Sequence, residues 1–386
     1  MKLLIIPSWY PTKLHPASGS FFRDRAHILK NYGIDIIIAA PIIHSLKDII
    51  PYNNTLRIEY FIDNGIPVYL NEIINIFPKT EKLQFYRYKK YAVLLLQKVI
   101  NKHGMPDAIH FHSSLSAGAA LFEECNQFKV PFFISEHLKE FLIPNGFTVF
   151  QKQLIQKTYE SCSGIIATSD KLRNTISDLF PEYKSKISII PNPVNEDIFV
   201  KKQILKNRSF TNIICIAMLR PEKHVELIIQ SFYKLLQSGE KAKLTIVGDG
   251  PLKLQLINHI QKLNLSNSVE LKGYLSQKHI VEELHKNDFL VLGSKVETFG
   301  TVLIEAQACG LPVIATDCGG PSDIISSDTG ILVKPGSVND LTRGMKNIIK
   351  KLDQYDLMKI RNRTIKYFGK KTYTEAIKRV VGKMII

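Results

Sequence analysis

The chain has 386 residues, and 51 Lys and Arg against 35 Asp and Glu give a formal net charge of +16. With 45% apolar and 22% charged residues it has a globular balance and is too long for one core, so two domains are expected and disorder or a collagen-like repeat is excluded. Five scattered cysteines with no C-x-x-C pair exclude a disulfide framework and a thiolate metal site, and read as reduced, structural thiols of a cytoplasmic chain.

In chain order, Met1-Lys2-Leu3-Leu4-Ile5-Ile6 stops at Pro7, too short an apolar run for a signal peptide and suited to a buried first strand. Further strands are expected at 35–40, 108–112, 132–135 and 164–168, alternating with helical patterns at 21–32, 82–102, 117–126 and 151–161. The second half repeats the scheme, with strands at 213–217, 244–247, 269–271, 289–292 and 312–315 and helices at 224–237, 253–263, 302–308 and 339–350. No window reaches the ~18–20 apolar residues of a membrane span. Strands alternating with helices predict doubly wound parallel sheets. Two such halves, joined near Pro191-Asn192-Pro193-Val194, predict two Rossmann-like domains facing a central cleft, with ligands beyond the carboxyl ends of the strands.

A pI near 9.4 raises the question of nucleic acid, but there is no helix-turn-helix pattern, zinc-finger spacing or RNP-like aromatic motif, so no nucleic-acid partner is expected. The segment 82–98 mixes Lys82, Arg87, Lys89, Lys90 and Lys98 with aromatic and apolar residues, which suits either an anionic membrane surface or an ordinary domain helix. No G-x-G-x-x-G follows the first strand, and Gly248-Asp249-Gly250-Pro251 lacks the third glycine, which argues against a nicotinamide dehydrogenase. No P-loop string occurs either.

The richest stretch runs from Gly293 to Thr316. A strand ends at Gly293, a loop carries Ser294, Glu297 and Phe299, and a helix begins near Gly300, so that the N–H groups of Gly300, Thr301 and Val302 suit an anionic phosphate. Glu297 ahead of the helix and Glu305 about one turn inside it make sense if that phosphate belongs to a nucleotide-sugar, one carboxylate accepting sugar hydroxyls and the other the ribose diol.

This string, E-x7-E followed by Gly310-Leu311-Pro312-Val313 and Cys318-Gly319-Gly320, resembles the retaining glycosyltransferases of family 4, which have the two-domain GT-B fold. The resemblance covers most of the chain. It implies an N-terminal Rossmann-like domain at 1–195 on the acceptor side, completed by a C-terminal helix at 371–386, and a donor domain at 196–370. Pro7-Ser8-Trp9-Tyr10-Pro11 and the stretch from Ala17 to Asp24 look like the family's first strand end, glycine loop and first helix, where Gly19 either lets backbone approach the donor diphosphate or is a plain loop glycine. His110 and His112 end a strand near the acceptor side and suit a structural role as well as a functional one. His137 occupies the position that contacts the transferred sugar, with Glu136 supporting it.

Around Lys223 the chain departs from the family pattern. The usual arginine position falls on Met218 and the usual glycines on Ala217 and His224, while Arg220 stands two residues later in Leu219-Arg220-Pro221. Lys223 and Arg220 are the expected diphosphate ligands, with a surface salt bridge as the alternative for Arg220. Gly248, Tyr274 and Leu275 lie in loops that border base and ribose. No D-x-D string occurs, so a metal-independent reaction with no cofactor is expected. The resemblance implies transfer from a UDP- or GDP-linked sugar to a glycan or lipid-linked acceptor in surface polysaccharide assembly. A non-catalytic nucleotide-sugar-binding partner and a sugar-nucleotide 2-epimerase are the alternatives. Its expected location is the cytoplasm, with peripheral contact to the membrane through 82–98.

Overall fold

The computed structural model describes residues 1–15, 18–45, 58–77, 79–201 and 209–385, and Ala17 of the expected glycine loop lies outside them. The chain forms two compact units, one of Met1–Ile190 with Tyr373–Ile386 and one of Pro191–Thr372.

The first unit is built on β1 (Lys2–Ile6), β2 (Asp35–Ser45), β3 (Ile58–Asp63), β4 (Ile66–Asn75), β5 (Ala108–His112), β6 (Phe132–Glu136), β7 (Gly164–Ala167) and β8 (Ile187–Ile189). They form one sheet in the order β3-β4-β2-β1-β5-β6-β7-β8, parallel throughout except for the antiparallel β3–β4 hairpin. β1 is central and isoleucine- and leucine-rich because helices cover both faces. Its alternate residues serve different cores: Leu4 and Ile6 pack with Tyr88, Leu95 and Leu96, whereas Leu3 and Ile5 pack with Ala26, Leu29, Tyr373, Ile377 and Val381. The helix Lys370–Ile385 thus closes the face that Ser20–Asn31 begins.

The second unit has β9 (Thr211–Ile216), β10 (Ala242–Val247), β11 (Val269–Gly273), β12 (Phe289–Leu292), β13 (Val313–Thr316) and β14 (Gly330–Val333), all parallel, in the order β11-β10-β9-β12-β13-β14. Numbered within the unit this is 3-2-1-4-5-6, the Rossmann order. Again one strand feeds two cores: Ile213 and Cys215 meet the helices Val225–Gln237 and Val338–Lys351, and Ile214 meets Leu303, Ile304 and Phe368.

In each sheet the winding reverses beside the first strand. The two loops that leave that point in opposite directions open a crevice at the carboxyl ends. In the first unit this point lies between β1 and β5, and in the second between β9 and β12. The site residues cluster at these two points.

Candidate functional site

In the second unit the loop after β9 carries Leu219, Arg220 and Lys223, and the loop after β12 carries Ser294 and Glu297. They meet directly: Lys223 Nζ lies 2.5 Å from Glu297 Oε1, and Ser294 Oγ donates to the same oxygen at 2.8 Å. Ser294 is fully buried, and its carbonyl accepts from Thr316 Oγ1 at 2.6 Å, so the hydroxyl is held in place from below. Glu297 is fixed through its backbone too, its carbonyl accepting from Gly320 N–H at 2.8 Å, and Lys295 N–H donates to the Glu222 carbonyl at 2.8 Å, tying the two loops together.

Next to this pair, Gly300 (φ 99°) caps the helix Thr301–Ala308 from the left-handed region. The first-turn N–H groups of a helix have no acceptor within it, so Thr301 and Val302 offer an anion two donors beside Lys223's loop. Asn192 Nδ2 reaches Thr301 Oγ1 at 3.4 Å, a residue that sequence reasoning used only as a domain boundary. Glu305 is half-buried one turn into the helix, and Phe299 is buried beneath it against Phe368. Arg220 is exposed, consistent with a cation free to meet a ligand.

Gly248 follows β10 with φ 141°, and a Cβ there would stand 1.8 Å from the Ala217 carbonyl oxygen. The loops after β9, β10 and β11 can lie this close only because that side chain is missing; Ala217 N–H reaches the Val247 carbonyl at 3.0 Å and Gly248 N–H the Gly273 carbonyl at 2.8 Å. Tyr274 follows, 58% exposed, with Leu275 half-buried beneath it.

The first unit's switch point is of another kind. His112, at the end of β5, directs Nδ1 to His137 Nε2 at 3.2 Å, and Arg25 Nη1 lies 3.1 Å from the same Nε2. An arginine can only donate, so His137 Nε2 is an acceptor, its proton sits on Nδ1, and His112 must carry its own proton on Nδ1. Behind them His110 Nε2 shares a hydrogen bond of 2.7 Å with Ser135 Oγ and stacks on Phe133. Phe22 packs against both His112 and His137, and the Arg25 guanidinium lies over the rings of Phe21 and Phe22. Burial pushes His110 down to about 3 and His112 and His137 well below the ordinary histidine value, reinforced by the neighbouring Arg25 charge; burial also draws Arg25 down to about 10. Three neutral imidazoles around one buried guanidinium form a hydrogen-bonding array rather than an anion clamp.

Glu136 faces away from this array. It is fully buried, and Oε1 accepts from Ser114 N–H and Tyr159 OH, each at 2.9 Å. Burial raises its pKa above the ordinary value, and its contribution is to hold the turn Ser114–Gly118, in which Ser116 has φ 58°. Gly19 (φ 70°) caps the helix Ser20–Asn31, and a Cβ there would stand 2.3 Å from the Trp9 carbonyl oxygen, so its first requirement is the packing of the loop after β1. Arg25 and Tyr159, which organise the first unit's switch point, lie on helical patterns and carry no motif in the sequence.

The helix Glu81–His103 spends part of its basic face within the unit. Lys89 pairs with Glu123, Arg87 Nε donates to the Ile74 carbonyl at 3.0 Å, and Lys82 lies over Phe150. Lys90, Lys98, Leu83, Tyr86 and Leu94 remain exposed. Among the described residues no helix is long and apolar enough to cross a membrane, and no group of three or more His, Cys, Asp or Glu could hold a metal ion. All five cysteines are free, and Cys318 alone is not fully buried.

Comparison with known proteins gives this arrangement its context. Sucrose-phosphate synthase from Thermosynechococcus elongatus superposes with a TM-score of 0.78 over 100% of this chain and 99% of its own, at 18% identity. Anabaena HepE in complex with UDP-glucose gives 0.75 over 99% and 100%, at 17% identity. These likenesses define the fold: two Rossmann-like α/β domains of the GT-B glycosyltransferase type. Residues 196–369 match the family described as Glycosyl transferases group 1, and residues 60–198 match Glycosyltransferase Family 4. The N-acetyl-α-D-glucosaminyl L-malate synthase of Bacillus anthracis is 26% identical over 75% of this chain and 79% of its own. A Bacillus subtilis glycosyltransferase named for teichuronic acid biosynthesis is 26% identical over 89% and 88%. The chain belongs to glycosyltransferase family 4.

Proposed function

We propose that the chain transfers a sugar from a UDP- or GDP-linked donor to a glycan or lipid-linked acceptor, with retention of anomeric configuration and without a metal or other cofactor, in the assembly of a surface polysaccharide or lipopolysaccharide. The observation that carries this reading is the meeting, at one switch point, of Lys223, Glu297, Ser294 and the glycine-capped helix Thr301–Ala308. A cation and free N–H donors suit a diphosphate; a carboxylate beside them suits sugar hydroxyls. The Anabaena structure with UDP-glucose and the Bacillus subtilis relative named for teichuronic acid biosynthesis support the donor class and the pathway. The missing D-x-D string supports the metal-free reaction.

On this reading Arg220, Lys223 and the N–H groups at Thr301 and Val302 take the charge that builds on the leaving β-phosphate, stabilising the transition state more than the ground state. Glu297 and His137 bind the transferred sugar, Glu305 the ribose diol, and Gly248, Tyr274 and Leu275 border the base. Attack comes from the front face, the leaving phosphate taking the acceptor proton; trapping a covalent glycosyl-enzyme would overturn that step.

The test is calorimetric binding of UDP, GDP, ADP and their common sugar conjugates, without metal, to the wild type and Glu305→Ala. One nucleotide series should bind, and the variant should weaken it. A well-folded protein that binds none of them ends the transferase reading.

A further inference from the structure

Lys223 and Glu297 have so far been assigned to different parts of the donor, the diphosphate and the sugar. In the structure they are assigned to each other. The Lys223 ammonium lies 2.5 Å from Glu297 Oε1, and that oxygen also accepts from the buried Ser294 hydroxyl. The pair is partly withdrawn from water, with side-chain exposures of 26% for Lys223 and 11% for Glu297, so solvent screens it less than a surface pair. Both backbones are anchored, Glu297 through Gly320 N–H and the two loops through Lys295 N–H to the Glu222 carbonyl, so the contact follows from the loop geometry.

We infer that Glu297 is an internal competitor of the donor's diphosphate for Lys223, and that the enzyme uses this competition to prefer intact nucleotide-sugar over the nucleoside diphosphate left after transfer. The inference rests on the proposed donor site and adds a regulation to it. A phosphate reaching Lys223 arrives beside a carboxylate of the same sign, a repulsion that weakens binding. An intact donor relieves it, because its sugar hydroxyls donate to Glu297 and give the carboxylate a partner of its own. A nucleoside diphosphate has no sugar there. It faces Glu297 as an unrelieved anion, and the carboxylate draws Lys223 back. Transfer itself therefore converts a well-matched ligand into a mismatched one, at the moment when the product must leave.

The experiment compares Kd values by calorimetry for UDP and UDP-glucose, and for GDP and GDP-mannose, on the wild type, Glu297→Gln, Lys223→Ala and the double variant. Glutamine keeps an oxygen for Ser294 and removes the charge. Glu297→Gln should bind the nucleoside diphosphate about tenfold tighter than the wild type, within the usual range of coupling between sites. It should gain less for the nucleotide-sugar, so the preference between the two narrows. In the Lys223→Ala background the same substitution should give a smaller gain, because the competition for Lys223 is gone and only the direct repulsion is relieved. Glu297→Asp, which draws the carboxylate back by one methylene, should shift both ligands in the same direction by less, and it serves where the glutamine variant fails to fold. Unchanged or weaker binding of the nucleoside diphosphate by Glu297→Gln overturns the inference alone, making Glu297 a simple holder of Lys223. If no nucleotide binds the wild type, the donor-site reading falls, and the inference with it.

Discussion

The two units solve the same topological problem with opposite chemistry. Each winds a parallel sheet outward from a central strand and gathers polar residues where the winding reverses. In the second unit those residues are charged and graded in exposure, from the exposed Arg220 through the half-buried Lys223 to the buried Glu297 and the helix start at Gly300. In the first they are, Arg25 apart, neutral: the buried His110 and His112 and the half-buried His137, beside Phe21, Phe22 and Phe133. A mobile, strongly charged diphosphate calls for cations and N–H dipoles that it can reach. Hydroxyls call for fixed donors and acceptors whose protonation does not vary with the surroundings. The difference teaches that a shared fold supplies the crevice, while the side chains at the strand ends decide which kind of ligand group it can read.

The sharpest break between the halves is charge dependence. Lys223→Ala should lower transfer by about 10²–10³, the cost of losing one preorganised donor at a developing charge. Nucleotide binding should weaken with it and show a flatter salt dependence. His137→Gln should lower transfer while leaving nucleoside diphosphate affinity and its salt dependence unchanged. Titrations at two ionic strengths separate these outcomes; equal effects of both substitutions on nucleotide affinity would erase the distinction between the halves.

A second test concerns backbone rather than charge. Gly248→Ala places a methyl 1.8 Å from the Ala217 carbonyl oxygen at φ 141°, so the loops after β9 and β10 must move apart. The strained conformation alone costs on the order of 1–3 kcal/mol, before the clash is added. Gly336, at φ 73° with open space around its Cβ position, is the control: Gly336→Ala carries conformational strain without displacement. Urea midpoints should fall further for Gly248→Ala, and it alone should lose nucleotide binding. Equal midpoints would remove the packing requirement at Gly248.

The three histidines at its switch point make the first unit acid-sensitive. The unfolded chain takes up a proton at each of them near the ordinary value of 6.5, and the native chain does not. Stability from this source is therefore complete above pH 6.5 and is lost as the pH falls toward about 3, where His110 titrates in the fold. Each such group contributes up to about 1.4 kcal/mol per pH unit within that window. Glu136 acts the other way: its raised pKa gives stability that is complete below the ordinary 4.5 and is lost as the pH rises through the raised value. Between 4.5 and 6.5 three histidines oppose one carboxyl, so the urea midpoint should fall on acidification from pH 7 to 5, and His110→Gln should make that fall shallower. An identical pH profile in wild type and variant would contradict the neutral, buried array.

Much of this organisation was legible in the residues. Lys2–Ile6, Ala108–His112 and Phe289–Leu292 occupy the spans that their apolar runs predict, because a parallel strand buried on both faces reads as a continuous apolar run. The β3–β4 hairpin escaped prediction although its turn is written as Asn64-Gly65, with φ 46° and 76°, the positive pair of a two-residue hairpin turn. β3 lies at the sheet edge with Tyr60 and Ile62 exposed, so its apolar residues do not mark a buried face. The Lys223–Glu297 contact is likewise invisible in sequence, since 74 positions separate the two and only the adjacency of β9 and β12 brings their loops together. Arg25 is the harder case. A buried arginine on an apolar helix face leaves no pattern, and its role depends on two histidines at the ends of β5 and β6.

The smallest effect concerns the surface of the first unit that neither core uses. Of the five basic residues that make 82–98 look suited to an anionic membrane, Arg87 and Lys89 are committed to Ile74 and Glu123, so reversing them would damage the unit along with any surface contact. Lys90 and Lys98 are exposed on the same helix as Leu83, Tyr86 and Leu94, and changing them tests the surface alone. A juxtamembrane lysine contributes about 1 kcal/mol toward an anionic bilayer at low ionic strength. Lys90→Glu with Lys98→Glu should therefore cut binding to phosphatidylserine-containing vesicles by roughly tenfold or more, with nucleotide affinity and thermal midpoint unchanged. Sedimentation with vesicles of 30% and 0% anionic lipid reads this directly. Binding indifferent to both the substitutions and the lipid charge would make the helix Glu81–His103 an ordinary domain helix.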